Sequence, residues 1–225
     1  MRPIRLLVTA ACFVALTIGS LLLYSHLLRR RAESLLRNSY ELSNQVAPTS
    51  VMLQQRFGSQ LKQIGNCAPR SECGYEVVVS NRPFAVTHLV PYTEMKSVFD
   101  VRDGVVSSNM VDYTTTVHDR QSIVTHVAID YCKTCDSFSL HPWEASPLGT
   151  NGLVVVGSAS SAEKRRYVLS LDTRCMTKRA GCSTVAELLP TVWEVRNGTI
   201  MCRVPNHEGF VDYPSEWLRN DLTVK

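Results

Sequence analysis

Hydrophobic and polar positions divide the chain into two unlike parts. From Leu6 to Leu28 the sequence reads LLVTAACFVALTIGSLLLYSHLL, with no Asp, Glu, Lys or Arg. Arg2 and Arg5 stand before it and Arg29-Arg30-Arg31 after it. Its 23 residues make a helix of about 34 Å, enough for a hydrocarbon core of about 30 Å. Thr9, Thr17, Ser20 and Ser25 can be satisfied by helix carbonyls. Tyr24 and His26 lie near one end, where amphipathic rings favour the interface. A cleaved signal peptide has a shorter apolar region, about 7 to 15 residues, and a small-residue cleavage site. Here RRRAESLL follows directly, with no A-x-A before the charges. A lipoprotein reading at Cys12 fails because too little apolar sequence precedes it and the run continues past it. The stretch reads as an uncleaved, single-pass transmembrane anchor.

Beyond it the pattern is helical, then extended. Residues 31–45, RAESLLRNSYELSNQ, extend the helix, with Leu35, Leu36 and Tyr40 as a partial stripe, and Pro48 ends it. A second helix is expected from Ser50 to Ile64, because Leu53, Phe57 and Leu61 recur at i, i+4, i+8. Thr49 or Ser50 caps it, and Gly65 follows its end. Tyr75–Ser80 and Ala85–Val90 are β-branched and read as strands around Asn81-Arg82-Pro83. Met95–Val101 and Val105–Val117 flank Asp103-Gly104, a hairpin signal because both turn residues adopt positive φ. Ile123–Tyr131 is a further strand. Residues 136–152, DSFSLHPWEASPLGTNG, read as a long irregular excursion on their prolines and glycines.

Leu153–Gly157 and Arg166–Leu171 read as another strand pair. Thr184-Val-Ala-Glu187 is a capping box that opens a short helix closed by Pro190. Val192–Val195 and Thr199–Val204 flank Asn197-Gly198, a second hairpin signal. Strands joined by short turns pair antiparallel, so the fold class is α+β: a transmembrane helix, a helical lead, a mainly antiparallel sheet and a short C-terminal helix. The expected organisation is a short tail (1–5), the span (6–28), a juxtamembrane helix or linker (29–48), a globular domain (49–204) and a loose tail (205–225).

Charge alters the picture little. The formal charge is +4, but residues 1–31 hold five arginines and no acid, so the remainder is close to neutral. The basic balance is a juxtamembrane property, and no basic face for nucleic acid emerges. Arginines on the two sides of the span nearly cancel under the positive-inside rule, with a slight lean to a cytoplasmic domain. Cysteines argue the other way. Seven lie beyond the span (Cys67, Cys73, Cys132, Cys135, Cys175, Cys182 and Cys202), a density that suits an oxidising, extracytoplasmic compartment. Cys67 with Cys73, and Cys175 with Cys182, are the disulfide candidates, each closing a short loop.

Cys67-x5-Cys73 running into Tyr75-Glu76, and Cys175-Met-Thr…Gly181-Cys182…Leu188-Leu189-Pro190-x-x-Trp193, after two helices and a single span, resemble a group of uncharacterised single-span membrane-anchored bacterial proteins. The resemblance implies a bacterial envelope setting and no particular activity.

Candidate chemistry is sparse. Cys132-Lys-Thr-Cys135 is the sharpest motif, open to readings as a redox dithiol, half a zinc site or a local disulfide. It follows a strand, and the sequence after it does not open a helix that would lower a thiol pKa. Zinc needs a second pair, and the spacing of Cys67 and Cys73 is too long for one. The histidines are scattered. His141, Trp143 and Glu144 form a possible binding loop. No phosphate loop, dinucleotide fingerprint or nucleophile elbow is present. The expectation is a non-enzymatic envelope binding or structural module, without a cofactor, with the bilayer and an envelope protein as partners. The alternative is a metal- or thiol-dependent enzyme or redox factor using Cys132 and Cys135.

Overall fold

The computed structural model describes residues 2–65, 72–117, 121–130, 138–146, 149–157, 161–182, 185–196, 199–206 and 209–214. Side-chain surroundings are described for 7–65, 73–116, 161–182 except 164, and 186–192. The chain is α+β, as the pattern predicts.

Helix α1 (Arg2–Ser43) is continuous for 42 residues, about 63 Å. Its first half is long and apolar enough to cross a membrane, and Leu7, Phe13, Leu16 and Leu22 are exposed along it. Its second half is a different object. Leu28, Ala32, Leu35, Leu36, Ser39, Leu42 and Ser43 are buried, a stripe at three- and four-residue spacing. The segment expected to be a juxtamembrane helix or linker is thus the central helix of the domain core.

The chain reverses through a buried Pro48, whose carbonyl accepts from Val106 N at 2.8 Å, and Ser50 N donates to Gly104 O at 3.0 Å. Helix α2 (Ser50–Phe57) is capped by the Thr49 hydroxyl, which accepts from Met52 N. It stops at Phe57, short of Ile64, because Gly58 takes a left-handed φ of 53° and a 3-10 turn follows over Gly58–Gln60. Leu53 and Phe57 are buried; the Phe57 and Phe99 rings lie 5.2 Å apart. The last residues of the expected helix form strand β1 (Lys62–Ile64).

Strands β2 (Glu72–Ser80), β3 (Thr93–Arg102), β4 (Val105–Val117), β5 (Gln121–Asp130), β6 (Phe138–Ser146) and β7 (Gly149–Gly157) complete a seven-stranded sheet in the order β1-β2-β3-β4-β5-β7-β6. Asp103 and Gly104 turn the β3–β4 hairpin with φ of 51° and 77°. Along β3, Thr93, Met95, Ser97, Phe99 and Val101 face the core and their neighbours face out. Their β4 partners are Thr115, Tyr113, Val111, Asn109 and Val106. A bulge at Ser107 lets both Val106 and Asn109 face inward despite their odd spacing.

Three elements depart from the sequence pattern. Residues Ala85–Val90, expected as a strand, belong to helix α3 (Arg82–Val86) and its exit turn. Pro83 sits in the first turn, where its missing N–H costs nothing. His88 closes the helix at a left-handed φ of 54°, with Leu89 N donating to Phe84 O and His88 N to Ala85 O. The expected strand Arg166–Leu171 instead overlaps helix α4 (Ala162–Val168), whose Arg165, Tyr167 and Val168 are buried. The excursion at 136–152 forms β6 and the start of β7. Pro142 is tolerated because β6 is the edge strand. β7 pairs parallel with β5, the single parallel contact among the described strands.

A 3-10 turn (Thr173–Met176), helix α5 (Val185–Leu188) and strands β8 (Trp193–Arg196), β9 (Thr199–Asn206) and β10 (Gly209–Pro214) follow. The three strands form a separate antiparallel sheet in the order β10-β9-β8. Thus part of the expected loose tail is strand β10.

Leu42, near the end of α1, is fully buried, and we expect Leu42→Ala to cost about 2–5 kcal/mol. Val51, 62% exposed, should tolerate Ala within about 0.5 kcal/mol. Equilibrium unfolding of the full chain in detergent compares the two. Asn81→Ala belongs to the same series. The Asn81 amide donates to Pro91 O at 2.8 Å and Met176 O at 2.9 Å and accepts from Thr93 N at 2.8 Å. Its loss strands buried backbone groups, at about 1–3 kcal/mol for each one left unpaired.

Candidate functional site

A concavity opens where α1 leaves its exposed half and enters the core. A cleft of about 510 Å³ is lined by Arg29, Asp172, Arg174, Cys175, Lys178, Cys182, Glu187 and Pro190. A neighbouring groove of about 400 Å³ shares Asp172 and Arg174 and adds Glu33, Leu36 and Leu169. Five segments therefore meet here: α1, the stretch after α4, the 3-10 turn, the loop after it and α5.

Local chemistry explains the shape. Asp172 precedes the 3-10 turn and caps it, its carboxylate accepting from Arg174 N at 2.9 Å. Its backbone N donates to Leu188 O at 2.7 Å, tying the turn to α5. Cys175 and Cys182 form a disulfide with Cα atoms 5.2 Å apart. It closes a short loop, for which the chain-entropy argument gives about 2.5 kcal/mol. Gly181 fits beneath Pro91 because it has no side chain; a Cβ there would lie 2.9 Å from Pro91 Cγ. Arg29 Nε donates to Thr177 Oγ1 at 2.6 Å and binds α1 to the same loop.

Both carboxylates in the cleft have a cationic partner. Arg174 grips Asp172 in a fork, with Nε at 2.9 and 3.0 Å and Nη2 at 2.7 Å from the carboxylate oxygens. Lys178 Nζ lies 3.6 Å from Glu187 Oε1. Burial raises the Asp172 carboxyl pKa, but the Arg174 hydrogen bonds and charge, with Lys178, outweigh it and leave the carboxyl below its ordinary value. Asp172 is therefore ionised near neutrality and unsuited to donate a proton. The cysteines are oxidised, so neither sulfur is a nucleophile. No histidine lines the cleft. Lys178 and Glu187 are the remaining titratable pair in the cleft. What the arrangement can do is present an ordered, mixed-charge surface beside α1.

Tyr113 is a further perturbed group, away from the cleft. It is fully buried, and burial drives its phenol pKa up against a smaller pull from the Thr93 hydroxyl. On the same core-facing side is a buried polar layer in which Ser39 Oγ meets Ser97 Oγ at 3.3 Å, Ser97 Oγ donates to Asn109 Oδ1 at 2.8 Å, and the Thr93 and Thr115 hydroxyls lie 3.1 Å apart. This layer is interior and lines no described cavity.

The sequence-derived candidates fare unevenly. Cys175 and Cys182 are joined. Cys73 is disulfide-bonded, while Cys67 lies outside the described residues. Cys132 and Cys135 also lie outside them. His141, Trp143 and Glu144 occupy backbone positions on β6, opposite Leu153 and Asn151 for the first two; their side chains lie outside the described set. Cys12 is a free thiol on the exposed half of α1. Among the described residues no group of three His, Cys, Asp or Glu is placed to hold a metal. Arg29, Asp172, Arg174, Lys178 and Glu187 escaped sequence reasoning. The one local signal was Asp172 before Thr173-Arg174, a capping residue at the head of a turn. Comparison with family models, curated proteins and solved structures returns no match.

Asp172 carries a pH signature whose sign follows from its lowered pKa. Its stabilising effect is present above the unfolded-state value and is lost as pH falls through the folded one. The stability difference between the parent and Asp172→Asn should be flat above about pH 5 and shrink below about pH 4. Denaturant titrations across that range measure it; a difference that grows on acidification would contradict the assignment.

Proposed function

We propose that this is a single-pass membrane protein of the bacterial envelope, non-enzymatic, whose α+β domain serves as a binding or structural module held close to the bilayer. One observation carries the reading. The same helix that exposes Leu7, Phe13, Leu16 and Leu22 to its surroundings places Leu28, Ala32, Leu35 and Leu42 in the domain core. An apolar helix half with no protein to cover it needs another apolar medium, and a bilayer is the one its length fits. The domain is then an inelastic continuation of the span, with no flexible linker between them. Such an attachment fixes the height and tilt of the domain over the membrane, a useful property in a scaffold or docking module. The cleft beside Arg29 supports binding over catalysis, since its carboxylates are paired and its sulfurs oxidised.

An extracytoplasmic domain is the orientation we favour, because the Cys175–Cys182 disulfide and the disulfide-bonded Cys73 suit an oxidising compartment. The partner is the bilayer, together with a protein or other envelope component. The metal- or thiol-dependent alternative rests on Cys132 and Cys135 alone.

Alkaline extraction of membranes and a topology reporter fused after Lys225 test the reading together. The chain should stay with the membrane pellet and the reporter should be active only outside the cytoplasm. Release into the supernatant would overturn the anchor, and a cytoplasmic reporter would overturn the orientation. A Cys132→Ser/Cys135→Ser double variant should retain partner binding.

A further inference from the structure

We propose that helix α3 and its exit turn, Val86 to Leu89, form a second membrane contact, dipping into the headgroup and acyl-chain boundary beside the span. The proposal rests on the reading of Leu6–Leu28 as a membrane span.

Its first support is position. Tyr24 lies four residues before Leu28, about 6 Å lower on the helix axis and inside the apolar stretch. The Tyr24 ring meets the Phe84 ring of α3 edge-on, centroids 4.8 Å apart and planes at 73°. Leu21 and Tyr24 are both partly buried against the domain core. The domain therefore does not begin where the apolar stretch ends. It overlaps that stretch by at least a helical turn, and α3 is the element that overlaps.

The second support is what α3 exposes. Phe84 is buried against the core, while Val86 is 71% exposed and Leu89 47% exposed. On α1, flanking Tyr24 in sequence, Leu23 and Leu27 are 60% and 46% exposed. The backbone is arranged to produce this display. His88 takes a left-handed conformation that most side chains avoid. The turn it makes returns the chain towards the sheet while leaving Val86 and Leu89 outward.

Charge completes the match. Arg29, Arg30 and Arg31 follow the span, and Arg82 begins α3. Arg30, Arg31 and Arg82 are exposed, which suits anionic headgroups around an apolar tip. The acids of the adjoining cleft, Asp172 and Glu187, are partnered by Arg174 and Lys178. The opposite end of the domain lacks this relation. There the β3–β4 turn joins the chain just after α1, through Ser50 N to Gly104 O, about 22 Å further along the helix axis than Leu28 by the rise from Leu28 to Ser43.

Depth-dependent quenching by brominated lipids tests the proposal on the full chain reconstituted in phosphatidylcholine–phosphatidylglycerol vesicles. Leu16→Trp reports the span, Leu89→Trp and Val86→Trp report the tip, and Val105→Trp at the β3–β4 turn is the distal control. Emission of the parent, which holds three tryptophans, is subtracted. We expect Leu16→Trp to be quenched by bromines deep in the acyl chains, and both tip variants by bromines near the carbonyls. Val105→Trp should be unaffected. Quenching of Leu16→Trp without either tip variant overturns the second contact and leaves the anchor standing. If no variant is quenched, the anchor reading fails and the second contact falls with it. The two tip variants are independent, so misfolding of one leaves the other to decide.

Discussion

The structure depends on the packing of the second half of α1 against the inner face of the β2–β4 sheet. Leu28, Ala32, Leu35, Leu36, Ser39 and Leu42 give the sheet its covering layer, and Val77, Met95, Phe99, Val111 and Tyr113 give the helix its partner. An antiparallel sheet needs one face buried, and a helix of this composition cannot bury its stripe alone. Each element is thus the condition for the other. Since the same helix continues unbroken into its exposed apolar half, the force that holds the domain together also fixes its attachment.

Polar groups in that interface supply specificity. Ser39, Ser97 and Asn109 form a chain across the helix–sheet boundary, and Asn81 ties β2, the Pro91 loop and Met176 with three hydrogen bonds. In an apolar setting such groups are costly unless paired, so they penalise any shifted register more than an apolar core would. The bulge at Ser107 serves the same end, bringing Val106 and Asn109 to one face. On the far side of the core, the Cys175–Cys182 loop is held by Asp172, Arg29 and the close approach of Gly181 to Pro91.

The cleft at this junction is shaped by its own ion pairs and disulfide. Arg174, two residues on, and Lys178 lower the Asp172 pKa and remove it as a proton donor, and Lys178 also faces Glu187 on α5. Its sulfurs are joined to each other. On the proposed reading such an ordered surface serves recognition. Its nearness to Leu28 places it, on the proposed reading, close to the headgroup layer, on the same end of the domain as α3.

Sequence alone determined the features whose signals are local. An uninterrupted apolar run of 23 residues, the positive-φ pair Asp103-Gly104, the alternation along β3, the closely spaced Cys175 and Cys182 and the α+β class all follow from neighbouring residues. The cleft was not legible, because its members lie on segments separated by about 140 residues (Arg29 with Thr177, Glu33 with Thr173) and each looks like an ordinary surface charge. Tertiary structure decided what local patterns leave degenerate. Val86, Thr87 and Val90 suggest a strand, yet Pro83 and the burial of Phe84 against Tyr24 make a helix. Pro142 suggests a break, yet an edge position makes it harmless. The polar Ser39 and Ser43 on α1 hide a core-facing stripe, because their partners are remote or in the backbone. Burial is a property of what an element meets, and only the folded chain supplies the partner.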